Sequence, residues 1–225
     1  MPNPLEKLYD TLCEQYSLSQ ATYFIGKHRF SFLSVANSYE LLDSLSEDYI
    51  AHEIMPYWAE IWPASFVLAE YILDDLRPVG QSCLELGAGV GVVSVAAAKA
   101  GASVLATDYV VEALPFIEYN ALINGTQLRT MRLDWNSFSL DERFDVVFAA
   151  DVLYERRNLL PILNALDHLL KDDGKALIAT PCREIAKNFL VLAQENKFDT
   201  RCITKPLLLL GQALQIDIYE LSRAP

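Results

Sequence analysis

The 225-residue sequence predicts a doubly wound α/β domain with a smaller α/β extension before it, on three observations. From Gly80 onward, apolar runs of strand length alternate with longer runs of helical spacing, the pattern of a parallel sheet covered on both faces. One run, FDVVFAA (144–150), is almost wholly apolar, as a central strand with helices on either side must be. A glycine-rich turn, LGAGVG (86–91), joins the first such run to a helical one. Open α/β sheets hold their ligands at turns of this kind.

Taken in order, residues 1–55 form the extension. LEKLYDTLCEQYSL spaces Leu5, Leu8, Tyr9, Leu12 and Tyr16 as one helix face, and ATYFIGKHRFSFLSVA alternates apolar and polar residues about GKH, a hairpin pattern. Residues 56–225 form the main domain. In PYWAEIWPASFVLAEYILDDL, Pro63 suits a first helical turn, and Val67, Leu68, Tyr71 and Ile72 share a face. SCLEL then reads as strand, VGVVSVAAAKA as helix, SVLAT as strand, and VEALPFIEYNALI as a helix with Pro115 near its start. LRTMRL and FDVVFAA are strands, NLLPILNALDHLLK a helix, GKALIATP a strand and REIAKNFLVLAQEN a helix. FDTRCITK and ALQIDIYEL follow with no helix between them, so they pair antiparallel at one edge. The sum is a seven-stranded, mostly parallel sheet with an antiparallel edge strand.

Charge and composition narrow the function. A net charge of −12 and a pI near 4.6 argue against nucleic acid, whose phosphates need clustered Lys and Arg; the densest basic pair is Arg156-Arg157. Cys13, Cys83, Cys182 and Cys202 form no CxxC pair, as expected of free thiols in a reducing compartment. His28, His52 and His168 have no metal-ligand spacing, so no metal is expected. The N-terminus lacks a basic and then apolar leader pattern, and PLLLLG (206–211) is far too short to span a bilayer. The expectation is a cytoplasmic protein, monomeric, with no membrane partner.

The glycine turn discriminates between cofactors. A dinucleotide fingerprint G-x-G-x-x-G would place its third glycine at Val92; the spacing here is G-x-G-x-G through Gly87, Gly89 and Gly91. Glu85, two residues upstream, would repel a pyrophosphate but suits a cationic amine. S-adenosylmethionine carries an ammonium and a sulfonium and no phosphate. Asp108 ends the second strand, where an acid is expected in a dinucleotide enzyme as well, so it does not discriminate between the two cofactors. The alternative reading of the glycines is an ordinary tight strand-to-helix turn.

LELGAGVG resembles motif I of the seven-strand, class I, Rossmann-like S-adenosylmethionine-dependent methyltransferases. PYWAEIWPAS, RLDWNSF and AADVLYE resemble, more specifically, the methyltransferase-like protein-lysine methyltransferase group. That group includes the enzyme acting on the electron-transfer flavoprotein β-subunit, and its members were often labelled nicotinamide N-methyltransferase-like. The resemblance covers roughly residues 54–182.

It implies a cofactor site of Trp62, Glu85, Gly87, Ala88, Gly89, Gly91, Asp108, Tyr109, Asp134, Trp135 and Ala150, leaving S-adenosylhomocysteine as product. It implies that Asp151 and Tyr154 of the D-x-x-Y segment face the acceptor as catalytic residues, orienting an amine whose neutral form is the nucleophile. The implied partner is a protein with an exposed lysine. A small amine or pyridine acceptor, and a non-catalytic cofactor-binding module, are the alternatives. Each residue also has a plainer reading. Asp151 could cap the helix beginning near Glu155, Tyr154 could be a packed surface ring, Asp134 could open a turn, and Trp58 and Trp62 could tie the extension down. Tyr57 and Arg183 could shape the substrate mouth.

Overall fold

The computed structural model describes residues 3–42, 55–209 and 211–224. His52, Leu210 of PLLLLG and the approach to the expected boundary at residue 55 lie outside the described residues.

The N-terminal elements follow their sequence signals. Helix α1 (Pro4–Gln15) starts with a capping box: the Asn3 side chain accepts from Leu5 N–H, and Glu6 reaches back to the Asn3 N–H. Its apolar face presents buried Leu12, with Leu5, Leu8 and Tyr16 packed beside it. Strands β1 (Leu18–Ile25) and β2 (His28–Val35) pair antiparallel from Leu18↔Val35 to Ile25↔His28. Gly26, at φ 56°, opens the two-residue turn between them. One helical turn, α2 (Tyr39–Leu42), follows.

The main domain contains α3 (Pro63–Tyr71), β3 (Ser82–Leu86), α4 (Val92–Lys99), β4 (Ser103–Asp108), α5 (Ala113–Ile123), β5 (Arg129–Arg132) and β6 (Phe144–Ala150). It continues through α6 (Arg156–Leu169), β7 (Leu170–Pro181), α7 (Glu184–Glu195), β8 (Phe198–Leu209) and β9 (Gln212–Arg223). A single turn of π-helix, Ile72–Leu76, extends α3 and ends at Arg77 in the left-handed region, φ 50°. The seven strands lie in the order β5-β4-β3-β6-β7-β9-β8. Strands β3 to β7 are mutually parallel, and the C-terminal pair is antiparallel as expected. Of that pair, β9 runs against the others and lies one strand in from the edge, between β7 and β8.

Strand alternation assigns the core to two faces. Leu84, Leu86, Val147, Ala149 and Ile178 face α6 and α7 on one side; Cys83, Val146, Phe148 and Leu177 face α3 and α4 on the other. Strand order reverses between the parallel neighbours β3 and β6: the chain winds outward through β4 to β5 on one side of β3 and then returns to β6 on the other. The carboxyl ends of β3 and β6 therefore form the crevice in which doubly wound sheets bind ligands.

The extension is stitched to the main domain by two side chains. Asn120 on α5 and Asn124, the residue that ends it, lie one turn apart and face the outer edge of β2. Asn120 Oδ1 accepts from Leu33 N–H at 2.7 Å, while its Nδ2 donates to Leu33 O and Val90 O, both at 2.9 Å. Asn124 repeats the pairing with Ser31 N–H at 3.0 Å and Ser31 O at 2.7 Å. The two amides satisfy backbone groups that a third strand would otherwise take. Asn120 is fully buried, and through Val90 it also fixes the glycine turn. Among the described residues no helix is long and apolar enough to cross a membrane.

Candidate active site

The glycine turn opens the site. Gly87, Gly89 and Gly91 all have positive φ, at 67°, 53° and 87°. Gly89 is further constrained by crowding: a Cβ there would lie 3.1 Å from the Trp58 carbonyl oxygen. Gly91 sits deeper, as the residue before α4, where a Cβ would meet Ile117 at 3.0 Å. It does not line the cavity that the turn borders, whereas every other residue of the expected site does. That cavity, of about 530 Å³, has the size of a small-molecule cofactor site.

Its floor is acidic. Asp108 is 7% exposed; its Oδ2 accepts from Gly89 N–H at 2.8 Å and its Oδ1 from Val110 N–H at 2.9 Å. Burial raises its pKa, opposed by those backbone donors. Glu85 is 2% exposed, and its Oε2 accepts from both the N–H and the hydroxyl of Ser94 on α4. Burial pushes the Glu85 carboxyl up to about 8, with the Ser94 bonds lowering it and Asp108 adding to the rise.

One wall is aromatic. Trp135 lies against the turn, with its ring 3.3 Å from where a Gly87 Cβ would sit. Asp134 does open a turn: its Oδ1 accepts from the Asn136 N–H and side-chain amide, both at 2.8 Å. That fixes the carboxylate beside Trp135 on the cavity wall. Trp62 donates from Nε1 to the Tyr57 carbonyl at 2.9 Å, and its ring meets Tyr57 edge-on, centroids 5.8 Å apart. Tyr57 in turn meets Tyr154 edge-on at 5.5 Å. The three rings form one rim. Trp58 is the tryptophan that ties the extension down, buried against Tyr16 and Phe116.

Just after β6, lining the same cavity, stands Asp151, 7% exposed, at φ 58°. A non-glycine residue in that region is strained, by about 1–3 kcal/mol, and the strain is held by Asp151 N–H donating to Ala179 O at 2.8 Å. Helix α6 starts at Arg156 after Glu155, and Asp151 does not cap it. Its Oδ2 accepts instead from Ala64 N–H at 3.1 Å, closing the first turn of α3, while Oδ1 lies 3.4 Å from Arg183 Nη2. Burial raises the Asp151 pKa against the pull of the Ala64 bond and the Arg183 charge. Tyr154 is 38% exposed at the mouth; its phenol is pushed up to about 12 by burial and then by Glu155, so it stays protonated at neutral pH. Glu60, Ser65 and Asn158 also line the cavity. Their placement is tertiary, and no local spacing marks them.

Glycine turn, acid floor, aromatic wall and D-x-x-Y mouth, set at the carboxyl ends of β3, β4 and β6, define the class: the seven-strand, Rossmann-like methyltransferase fold. The T. thermophilus 16S rRNA N2 G1207 methyltransferase RsmC, solved with AdoMet and guanosine, shares this fold at TM-score 0.64 and 14% identity, over 92% of this chain and 51% of that one. Within the class, the chain belongs to the lysine methyltransferase family, whose model matches residues 55–196. It is 32% identical to mouse protein-lysine methyltransferase METTL21E over 157 residues, 63% of this chain and 60% of that protein. It is 28% identical to human histone-arginine methyltransferase METTL23 over 155 residues, 65% of this chain and 82% of the relative. The chain thus spans about three fifths of the length of the first protein-lysine methyltransferase it matches.

Proposed function

We propose that this chain transfers a methyl group from S-adenosylmethionine to the side-chain nitrogen of a protein lysine. The observation that carries the reading is one cavity with a buried acid pair, Glu85 and Asp108, beneath the glycine turn, and with Asp151 and Tyr154 at its mouth. The residues fit the cofactor: the glycine turn borders the cavity directly, Glu85 has an oxygen free of Ser94 for an ammonium, and Asp108 keeps lone pairs for ribose hydroxyls. Trp62, Ala88, Tyr109, Asp134, Trp135 and Ala150 would enclose the rest.

When bound, the cofactor would supply a methyl carbon on a sulfonium as the electrophile for the acceptor's lone pair. The chain's own work is positioning. Asp151, pinned by Ala64 and Ala179, offers a fixed acceptor to the N–H groups of the incoming amine, and the Tyr154 phenol borders the same opening. Neither need act as a base. The family match and the METTL21E likeness favour lysine, while the METTL23 likeness makes arginine the second reading. Four free thiols fit a reducing compartment such as the cytoplasm, and the described part of the extension, through Leu33 on Asn120, braces the glycine turn.

The test is transfer of radiolabelled methyl from S-adenosylmethionine into a lysate of the source cells. Labelled protein whose acid hydrolysate contains methyl-lysine, absent with Asp151→Asn, is the expected result. Methyl-arginine would move the acceptor to the second reading, and label confined to small molecules would overturn a protein substrate. Asp108→Asn, which removes a charge-assisted acceptor worth about 1.5–3 kcal/mol, is expected to weaken cofactor binding roughly 10–100-fold by calorimetry.

A further inference from the structure

We infer that Arg183 is a positioning residue that keeps the acceptor amine in its neutral, nucleophilic form by holding a competing positive charge on Asp151. The inference rests on the proposed function. Arg183 immediately precedes α7, and its Nη2 lies 3.4 Å from Asp151 Oδ1 on the cavity wall. Asp151 is the carboxylate the acceptor must approach. Alone, a buried carboxylate would favour the ammonium form of a lysine, which has no lone pair to give. With the guanidinium already in place, the pair is neutral, and an arriving ammonium meets like charge beside its partner. The protonated acceptor is therefore disfavoured where the neutral one is not.

The other charges around this point leave the comparison intact. From the segment before α3 come Glu60 and Tyr57, from β3 Glu85, from β4 Asp108 and from the turn after β5 Asp134. The β6–α6 connection brings Tyr154 and Glu155, with Arg157 on the first turn of α6. Glu155 pairs with Arg157, and Glu184, next to Arg183, turns away to Lys187 at 2.8 Å. All of these are unchanged when Arg183 alone is replaced. Among the described residues, Arg183 is the cation in contact with Asp151. At 34% side-chain exposure it is screened by solvent, so its effect belongs at the low end of a neighbouring charge. The expected shift is about one pH unit, or tenfold in the neutral fraction.

The experiment compares wild type, Arg183→Gln and Arg183→Lys, using lysate protein as acceptor and n-butylamine, the lysine side chain without its backbone, as probe. In Arg183→Gln the acidic limb of the rate–pH profile is expected to move up by about one unit, with activity recovering at high pH. Butylammonium binding at pH 7, measured by calorimetry with S-adenosylhomocysteine present, is expected to tighten about tenfold. Arg183→Lys, keeping the charge, should stay near wild type, and cofactor affinity should be the same in all three. An unmoved limb together with unchanged butylammonium affinity would overturn the inference, as would equal losses in both variants, the mark of a merely structural role. If wild type labels no protein at all, the proposed function fails. The butylammonium comparison still reads the charge on Asp151.

Discussion

Replacing Glu85 with glutamine should make the cofactor-free protein more stable at pH 8 while weakening its grip on the cofactor. Glu85 is 2% exposed, with its carboxyl raised from 4.5 to about 8 chiefly by burial. A carboxyl that holds its proton more tightly in the folded state stabilises most below pH 4.5, and that contribution is lost as pH rises through 8. The full span, at 1.36 kcal/mol per unit, is about 5 kcal/mol of stability lost between the two limits. Relaxation of the site makes about 2–5 kcal/mol the working range. Glutamine keeps the shape and an acceptor for Ser94 but has no charge to bury. At roughly 2–4 °C per kcal/mol for a chain of this size, Glu85→Gln should melt about 5–15 °C above wild type at pH 8. The two should nearly coincide at pH 5. The assay is calorimetric melting of both proteins, free of cofactor, at the two pH values. A difference that is the same at both, or a variant less stable at pH 8, would refute the reasoning that the site stores an unpaired acid. Cofactor binding to wild type should release a proton at pH 7, and the variant should release less.

Two further outcomes follow from the same geometry. Asn120→Ala removes three buried hydrogen bonds, and at about 1 kcal/mol each it should lower melting by roughly 6–12 °C and weaken cofactor binding through the freed Val90 carbonyl. Gly89→Ala places a methyl 3.1 Å from the Trp58 oxygen at a φ of 53°, so cofactor affinity should fall at least tenfold, with tryptophan fluorescence reporting the displaced Trp58.

The sheet was legible because its signals are local. Strand-length apolar runs, the G-x-G-x-G turn and the hairpin at Gly26 each depend on residues within one element. The glycine turn and Asp108 share one cavity because parallel pairing sets the carboxyl ends of β3 and β4 side by side. What escaped depends on neighbours far along the chain. Asn120 stands in the apolar run of α5, an oddity that marks a buried polar role, but nothing local says its partners are Leu33 and Val90. The D-x-x-Y aspartate could be suspected of capping a helix; that it caps α3, 87 residues earlier, is a fact of packing. Asp134 combined both readings, a turn residue and a wall of the site.

The reversed strand β9 has a consequence for how the protein is made. Synthesis delivers β7 before β8 and β9, yet the neighbour β7 requires is β9, the last of the three. Until it arrives, the nascent chain carries Ala176, Leu177 and Ile178 beside an open row of backbone donors and acceptors, an invitation to pair with another chain. A chain stopped at Gly211 should collect in the insoluble fraction, although every residue that lines the cavity would already have been made.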